Sequence, residues 1–182
     1  MKIPSLQLLE QLHNITEQST HKAEHYLQLS NEQLNYKKQP ESWSILECIE
    51  HLNLYGEYYL PEIEQKMNAS GKTAVPEFKS GILGNYFANA MKGKNGVITK
   101  MKSPKDKVPL PSGLNKNTIE RFLIQQKTLK KLLLEAKNKD LNSIKTNISI
   151  SKLISIKLGD TFRFFIYHID RHILQAERNL LE

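Results

Sequence analysis

Cysteine, tryptophan and arginine are scarce in this chain, and long apolar runs are missing. A single cysteine, Cys48, stands among 182 residues. No disulfide can form within the chain, and a reducing compartment, the cytoplasm, is expected. Cys48 falls in an apolar helical pattern, which predicts a buried, inert thiol rather than a nucleophile. No apolar run approaches the ~18–20 residues of a spanning helix, which excludes a helical membrane protein. The opening stretch MKIPSLQLLEQLHNITEQ mixes polar and apolar residues at helical spacing. It lacks the continuous apolar region and cleavage site of a signal peptide. Internal repeats and low-complexity segments are absent, and strand signals are thin.

What is present is enough apolar material for a core and a surplus of lysine. Hydrophobic residues make up 39% and charged residues 25%, with a net charge of +7. The length fits one domain, 1–182. Lys92, Lys94, Lys100, Lys102, Lys105 and Lys107 cluster in a stretch that also contains glycine and proline. Elsewhere the lysines are spread out rather than interleaved with aromatic residues. That is the pattern of a solvated surface, and nucleic acid is not an expected partner.

Helical periodicity dominates. Leu8, Leu9, Leu12, Ile15 and Tyr26 predict one helix from Pro4 to about Leu29, with Pro4 in the first turn. NYKKQPESW is a connector broken at Pro40. Ser44 and Glu47 form the S-x-x-E pattern of a capping box, so a second helix starts at Ser44 and runs to about Met67. Pro61 is expected to kink it or end it early. Gly71 to Pro76 is a loop. A third helix spans about Phe78 to Met91, weakened by Gly81 and Gly84. Gly93 to Asn117 has no periodicity, and a loop that long suggests a lid or binding loop. A further helix begins near Asn117 or Thr118 and carries Phe122, Leu123, Leu129, Leu132, Leu133 and Ala136. NSIKTNISISKLISIKL is ambiguous, and irregular or helical turns are expected because a lone strand would have no partner. The last helix opens at Asp160 or Thr161 and runs to the end. The expected fold is all-α: an up-and-down four-helix bundle with a long loop and a short extra helix.

The last helix carries His168 and His172. Four residues on a helix turn 400°, so the two rings point the same way about one turn apart and can share a metal ion. With His172 at 0°, Phe165, Ala176, Ile169, Phe162, Leu180, Ile173 and Ile166 fall between about 20° and 120°. Thr161, His168, His172, Gln175 and Asn179 fall between about −60° and 0°, a polar strip without lysine or glutamate beside the core. Surface strips are usually charged, so this one suits a cavity wall. A third ligand has to come from another helix. His21 and His25 lie in the polar stretch TEQSTHKAEH and read as surface residues, and His13 shares their helix. His51 sits at the edge of the apolar stripe of Ile45, Cys48, Leu52, Tyr59 and Ile63, and Glu47, Tyr55, Tyr58 and Glu62 lie near its direction. Histidines at the core border of two helices can build an inward site, and a packed core-edge histidine is the competing reading for His51.

WSILECIEHL resembles the W-S-x-x-(E)-x-x-x-H-L box of the DinB-like superfamily, with Trp43, Ser44 and His51 at its fixed positions. FIYHIDRHILQ resembles the closing H-x-x-(R)-H-x-x-Q box, with His168, Arg171, His172 and Gln175. The resemblance covers nearly the whole chain. It implies a four-helix bundle, a divalent metal ion (Zn, Ni or Mn/Fe) held by His51, His168 and His172, and a homodimer. It does not imply DNA binding. Characterised members include metal-dependent thiol transferases that use low-molecular-weight thiols such as bacillithiol or mycothiol, and many members have no assigned reaction.

Three neutral imidazoles would leave an ion its full charge and open positions, the arrangement of a catalytic site. Such an ion activates water for hydrolysis or holds a thiol as its thiolate. Glu47, Tyr55, Tyr58 and Gln175 are the candidate neighbours, as acid, base or supporting partner. Trp43 reads as a hydrophobic staple ahead of the helix cap. Arg171 points about 100° from His172 and is expected to pair with an acidic group on another helix or at a dimer contact. The loop from Gly93 to Asn117 could cover the mouth and supply lysines to an anionic substrate. The expected function is a metal-dependent thiol S-transferase or hydrolase acting on a small molecule. The alternative is a module of the same fold that binds metal or a small ligand without turnover.

Overall fold

The computed structural model describes residues 1–92, 103–110 and 112–180. A three-residue strand β1 (Lys2–Pro4) leads into α1 (Ser5–Tyr26), followed by the short α2 (Asn31–Asn35) and the long α3 (Ile45–Asn68). Then come β2 (Glu77–Lys79), α4 (Ile82–Lys92), a 3₁₀ turn at Lys105–Lys107 and α5 (Lys116–Glu135). A second 3₁₀ turn at Ala136–Asn138 precedes β3 (Lys145–Ile148), β4 (Ser151–Lys157) and α6 (Leu158–Glu177).

Four of these helices close a ring. α1 packs on α5 and α6, and α3 packs on the same two, while α4 lies against α6. The result is the expected all-α, four-helix bundle with an extra helix. Each helix buries one stripe. On α1 it is Leu8, Leu9, Leu12, Thr16, Ser19, Ala23 and Tyr26, at steps of three and four residues. The first half of α6 is buried more completely, Leu158 to Arg163 without a break, because α4 and both β3 and β4 also cover it.

The predicted cap of α3 is present. Glu47 N–H donates to Ser44 Oγ at 3.2 Å, and Ser44 N–H donates to Glu47 Oε2 at 2.8 Å. Pro61 does not end the helix, which continues to Asn68. A proline in a helix interior costs roughly 3 kcal/mol, but beyond it Ile63 and Met67 are fully buried, so stopping at Pro61 would strip two residues from the core. α4 begins at Ile82 rather than near Phe78. Phe78 instead lies in β2, paired with Ile3 of β1.

The expectation of irregular turns over NSIKTNISISKLISIKL is overturned. The segment folds on itself as an antiparallel hairpin, with Thr146 opposite Ile156 and Asn147 opposite Ser155. A lone strand would lack a partner, but this stretch is long enough to hold both strands. The hairpin is tied to α3, since Asn147 N–H donates to Glu62 Oε1 at 2.8 Å and Tyr58 O–H donates to the Ile148 carbonyl at 3.1 Å.

α4 is fastened to α6 by a buried polar cluster. Asp160 accepts from Gly81 N–H at 2.8 Å and from Ser80 Oγ, and it pairs with Arg163 at 2.9 Å. Gly84 belongs to this contact: a Cβ there would come within 2.4 Å of the Asp160 carboxylate. Gly84, one of the two glycines that weaken the helix pattern here, is what lets α4 approach α6.

Candidate metal centre

α3 and α6 face each other in the ring, and each delivers its histidines to the same point. One ring nitrogen from each of His51, His168 and His172 lies within 4.8 Å of the others, and all three side chains are buried. His51 Nε2 and His168 Nε2 are 3.2 Å apart. Four ligands at the usual ~2.0–2.1 Å around a tetrahedral ion stand about 3.3 Å from one another, so this pair already has the spacing of two ligands. The remaining histidines are elsewhere. His13 and His21 lie beside Glu17 and Glu24 on α1, and His25 is exposed.

The hydrogen bonds fix how the rings are used. His51 Nδ1 lies 2.5 Å from the carbonyl of Lys107. A carbonyl only accepts, so the His51 proton sits on Nδ1 and the lone pair of Nε2 points at the other two rings. Nδ1 of His168 and of His172 are buried and have no hydrogen-bond partner among the described residues. Burial holds the His51 imidazole down to about 4, and burial together with the neighbouring rings and Arg171 holds His168 and His172 well below the ordinary histidine range. At neutral pH all three rings are therefore uncharged and able to donate lone pairs. The donor set, the spacing and the orientation of His51 all fit a divalent ion.

The cluster opens into a cavity of about 1090 Å³. Aromatic rings form its floor: Trp43 stacks on His172 at 5.7 Å and 27°, Phe164 on His168 at 6.0 Å and 5°, and Tyr55 sits 4.4 Å from His168. Burial, then Tyr59 and Asp106, push the Tyr55 phenol up to about 12, so it stays protonated and able to donate. Gln175 also lines the cavity, and its side chain interacts with the His172 ring. Of the four neighbours named from the sequence, Tyr55 and Gln175 thus reach the cavity wall. Glu47 is taken up by the α3 cap and by an ion pair with Lys37 at 2.7 Å, and Tyr58 by the hairpin.

Three features of the site go beyond the sequence pattern. Trp43 does pack on the core, but it is also a wall of the cavity. Arg171 is among the residues that line the cavity. The Lys107 carbonyl gives no sequence signal at all, because every residue carries one. Ser103, Pro104 and Lys105 border the cavity, so the described part of the long loop reaches the mouth. Residues 93–102, with Lys94, Lys100 and Lys102, lie outside the described residues.

No helix among the described residues is long and apolar enough to cross a membrane. Comparison with curated proteins and with solved structures gives no significant match. Comparison with protein families matches residues 15–176, a span that holds all three histidines, and by that match the chain belongs to the DinB superfamily.

Proposed function

We propose that the protein is a metal-dependent enzyme whose ion is held by His51, His168 and His172, and that it transfers a low-molecular-weight thiol to a small electrophile. The observation that carries this is the His51 ring, locked through Nδ1–H to the Lys107 carbonyl so that its lone pair meets the other two imidazoles. An ion there would supply Lewis acidity, lowering the pKa of a thiol or a water beside it.

The protein's own residues would do the rest. The aromatic walls, Trp43, Phe164 and Tyr55, exclude water and hold apolar parts of the substrate. Tyr55, kept protonated, can donate to a leaving group or to a developing negative charge. In the transfer, the sulfur–carbon bond forms as the bond to the leaving group breaks, and the thiol proton passes to solvent.

Hydrolysis is the second reading, and one feature weighs against it. A hydrolytic site usually keeps a carboxylate beside the attacking water as general base. Glu41 is the one carboxylate in the described cavity lining, and Glu47, the nearest candidate from the sequence, is spent on the helix cap. A thiol needs only to lose its proton.

The test uses tag-free protein never exposed to a nickel column. About one equivalent of metal in the parent and near none in His51→Ala and His172→Ala is expected by elemental mass spectrometry. The loaded parent should consume free thiol in the presence of a chlorobimane, and the variants should not. Product release from esters or amides without thiol would favour hydrolysis. Metal binding with neither reaction would leave a binding module.

A further inference from the structure

α4, the helix outside the ring, is apolar on the side that faces away from the protein. It buries Gly84, Ala88 and Met91 against α6. At 100° per residue these three lie between about 180° and 240° from Ile82, so the opposite face belongs to Ile82, Tyr86, Ala90 and Leu83, between about 0° and 100°. Ile82 is 96% exposed and Tyr86 68%. The outer face of a surface helix is normally charged, yet the one charged residue of α4 is Lys92 at its end. Beside it stands the hairpin. β4 packs against α4, and its Leu153 is 97% exposed, with Ile154 and, at the turn, Ile150 also exposed. Single apolar residues scattered over a surface need no explanation, but these come from two adjoining elements.

The charges around this face are lopsided. Residues 78–92 and 141–159, which supply it, contain no aspartate or glutamate, although the chain has 19. Their lysines are neighbours in space. Lys145 stands opposite Lys157 in the hairpin, Lys157 Nζ donates to the Lys79 carbonyl at 2.6 Å, and Lys79 stands opposite Lys2. Lys157 also borders Gly81, just ahead of α4, and Lys92 is exposed at the other end of that helix. Three acids come near. Asp160 is buried against Arg163, Glu62 accepts from Asn147 N–H, and Glu77 is shared by Lys2 at 2.8 Å and Lys79 at 3.8 Å. Lys92, Lys145 and Lys157 form no ion pair among the described residues.

Apolar contact and positive charge together select the partner. A second copy could cover the apolar residues, but it would bring the same lysines to the seam, and like charges across an interface oppose it. An anionic lipid surface takes both. Apolar side chains enter the boundary between headgroups and acyl chains, while lysines lay their stems on apolar surface and their ammonium groups on lipid phosphates. At 11 residues, α4 is about 16 Å long at 1.5 Å per residue, so it would lie on a bilayer rather than cross it.

We propose that the protein docks reversibly on an anionic bilayer surface through α4 and the β3–β4 hairpin, with Ile82, Tyr86 and Leu153 entering the interface and Lys92, Lys145 and Lys157 on the headgroups. This docking is independent of the metal reading above, since none of these residues belongs to the histidine site.

The test sediments the full chain with vesicles of phosphatidylcholine alone and of phosphatidylcholine mixed equally with phosphatidylglycerol, at low salt. Binding to the mixed vesicles is expected to be about tenfold tighter or more, the scale that a few lysines at an anionic surface supply. The double variant Ile82→Ser/Leu153→Ser changes two exposed positions and should fold. It should bind the mixed vesicles about tenfold more weakly, through lost apolar insertion. Lys145→Gln should lose about fivefold. Ile124→Ser, an exposed position on α5 across the ring from α6, should bind like the parent. No binding to the mixed vesicles, equal binding to both kinds, or a double variant that binds like the parent would overturn the proposal. So would sedimentation velocity that finds a dimer in the parent and a monomer in the double variant, because the face would then belong to a second copy.

Discussion

His51 is held from both ends of its ring, and the end away from the cluster depends on a loop. The Lys107 carbonyl that accepts its Nδ1 proton is kept in place partly by the Lys107 side chain. That side chain donates to the Leu54 carbonyl at 3.0 Å and lies 5.9 Å over the Tyr55 ring. Lys107→Ala should release the turn and lower metal affinity by about tenfold, the lower end of what partners of a metal ligand contribute. Competition against a chromophoric chelator measures it, and an unchanged affinity would show that the carbonyl does not set the tautomer. Spacing on a helix was enough to set His168 and His172 side by side, while His51 was left between ligand and core-edge packing until the resemblance to the family's two boxes joined it to them. Arg171 could not be read this way. The wheel places it about 100° from His172, yet it lines the same cavity, and no wheel records where a loop will stand. Cys48 behaves as its apolar setting predicts. It is fully buried, and burial pushes its thiol well above the ordinary range. The folded protein therefore keeps the proton while the unfolded chain loses it above pH ~8.5. Stability then falls as pH rises beyond that value, by the Cys48 contribution. Iodoacetamide at pH 8.5 should leave native protein unlabelled and label it fully in urea. The urea midpoint should drop more between pH 8.5 and 10 in the parent than in Cys48→Ala.

Among the elements, the helices were legible where an amphipathic stripe, a cap and a breaker agreed, as in α3. The failures came where tertiary contact overruled a local signal. Pro61 breaks the local rule, and the burial of Ile63 and Met67 beyond it keeps the helix going. The hairpin of β3 and β4 was hidden because each strand finds its partner only in the other. Gly84 makes the same point for α4, and it can be tested. In Gly84→Ala the new Cβ would meet the buried Asp160, whose oxygens already serve Gly81, Ser80 and Arg163. α4 would have to move, at a cost of about 1–3 kcal/mol. A Cβ at Gly71 would meet no described atom within 4 Å. Gly71→Ala should be neutral or stabilise by up to about 1 kcal/mol, through the unfolded chain. Urea unfolding of the two variants compares them directly. Equal effects would mean that the α4–α6 contact is not as close as the fold requires.

At the scale of the whole molecule, the bundle brings together two helices that are far apart in sequence, and the ion would join them. His51 on α3 and His168 and His172 on α6 stand on neighbouring helices of the ring, so a bound ion would act as a clasp across the seam between them. Anything that binds the folded form and not the unfolded one stabilises it by mass action, about 2.7 kcal/mol at a free concentration of 100 times Kd. For a chain of this length each kcal/mol moves Tm by roughly 2–4 °C, so saturating metal should raise Tm by about 5–10 °C. The rise should vanish in His172→Ala, which loses a ligand, and persist in Ser44→Ala. That second variant loses only the α3 cap, at a cost of about 1 kcal/mol, and should start from a lower Tm. A metal-dependent rise of the same size in His172→Ala would place the ion elsewhere. No rise in the parent would return the three buried rings to the core, with two of their nitrogens still unpartnered among the described residues. A buried nitrogen without a partner costs stability whether or not an ion is bound at the other nitrogen of the same ring, so the metal-dependent rise in Tm, and not the unpartnered Nδ1, decides between clasp and core.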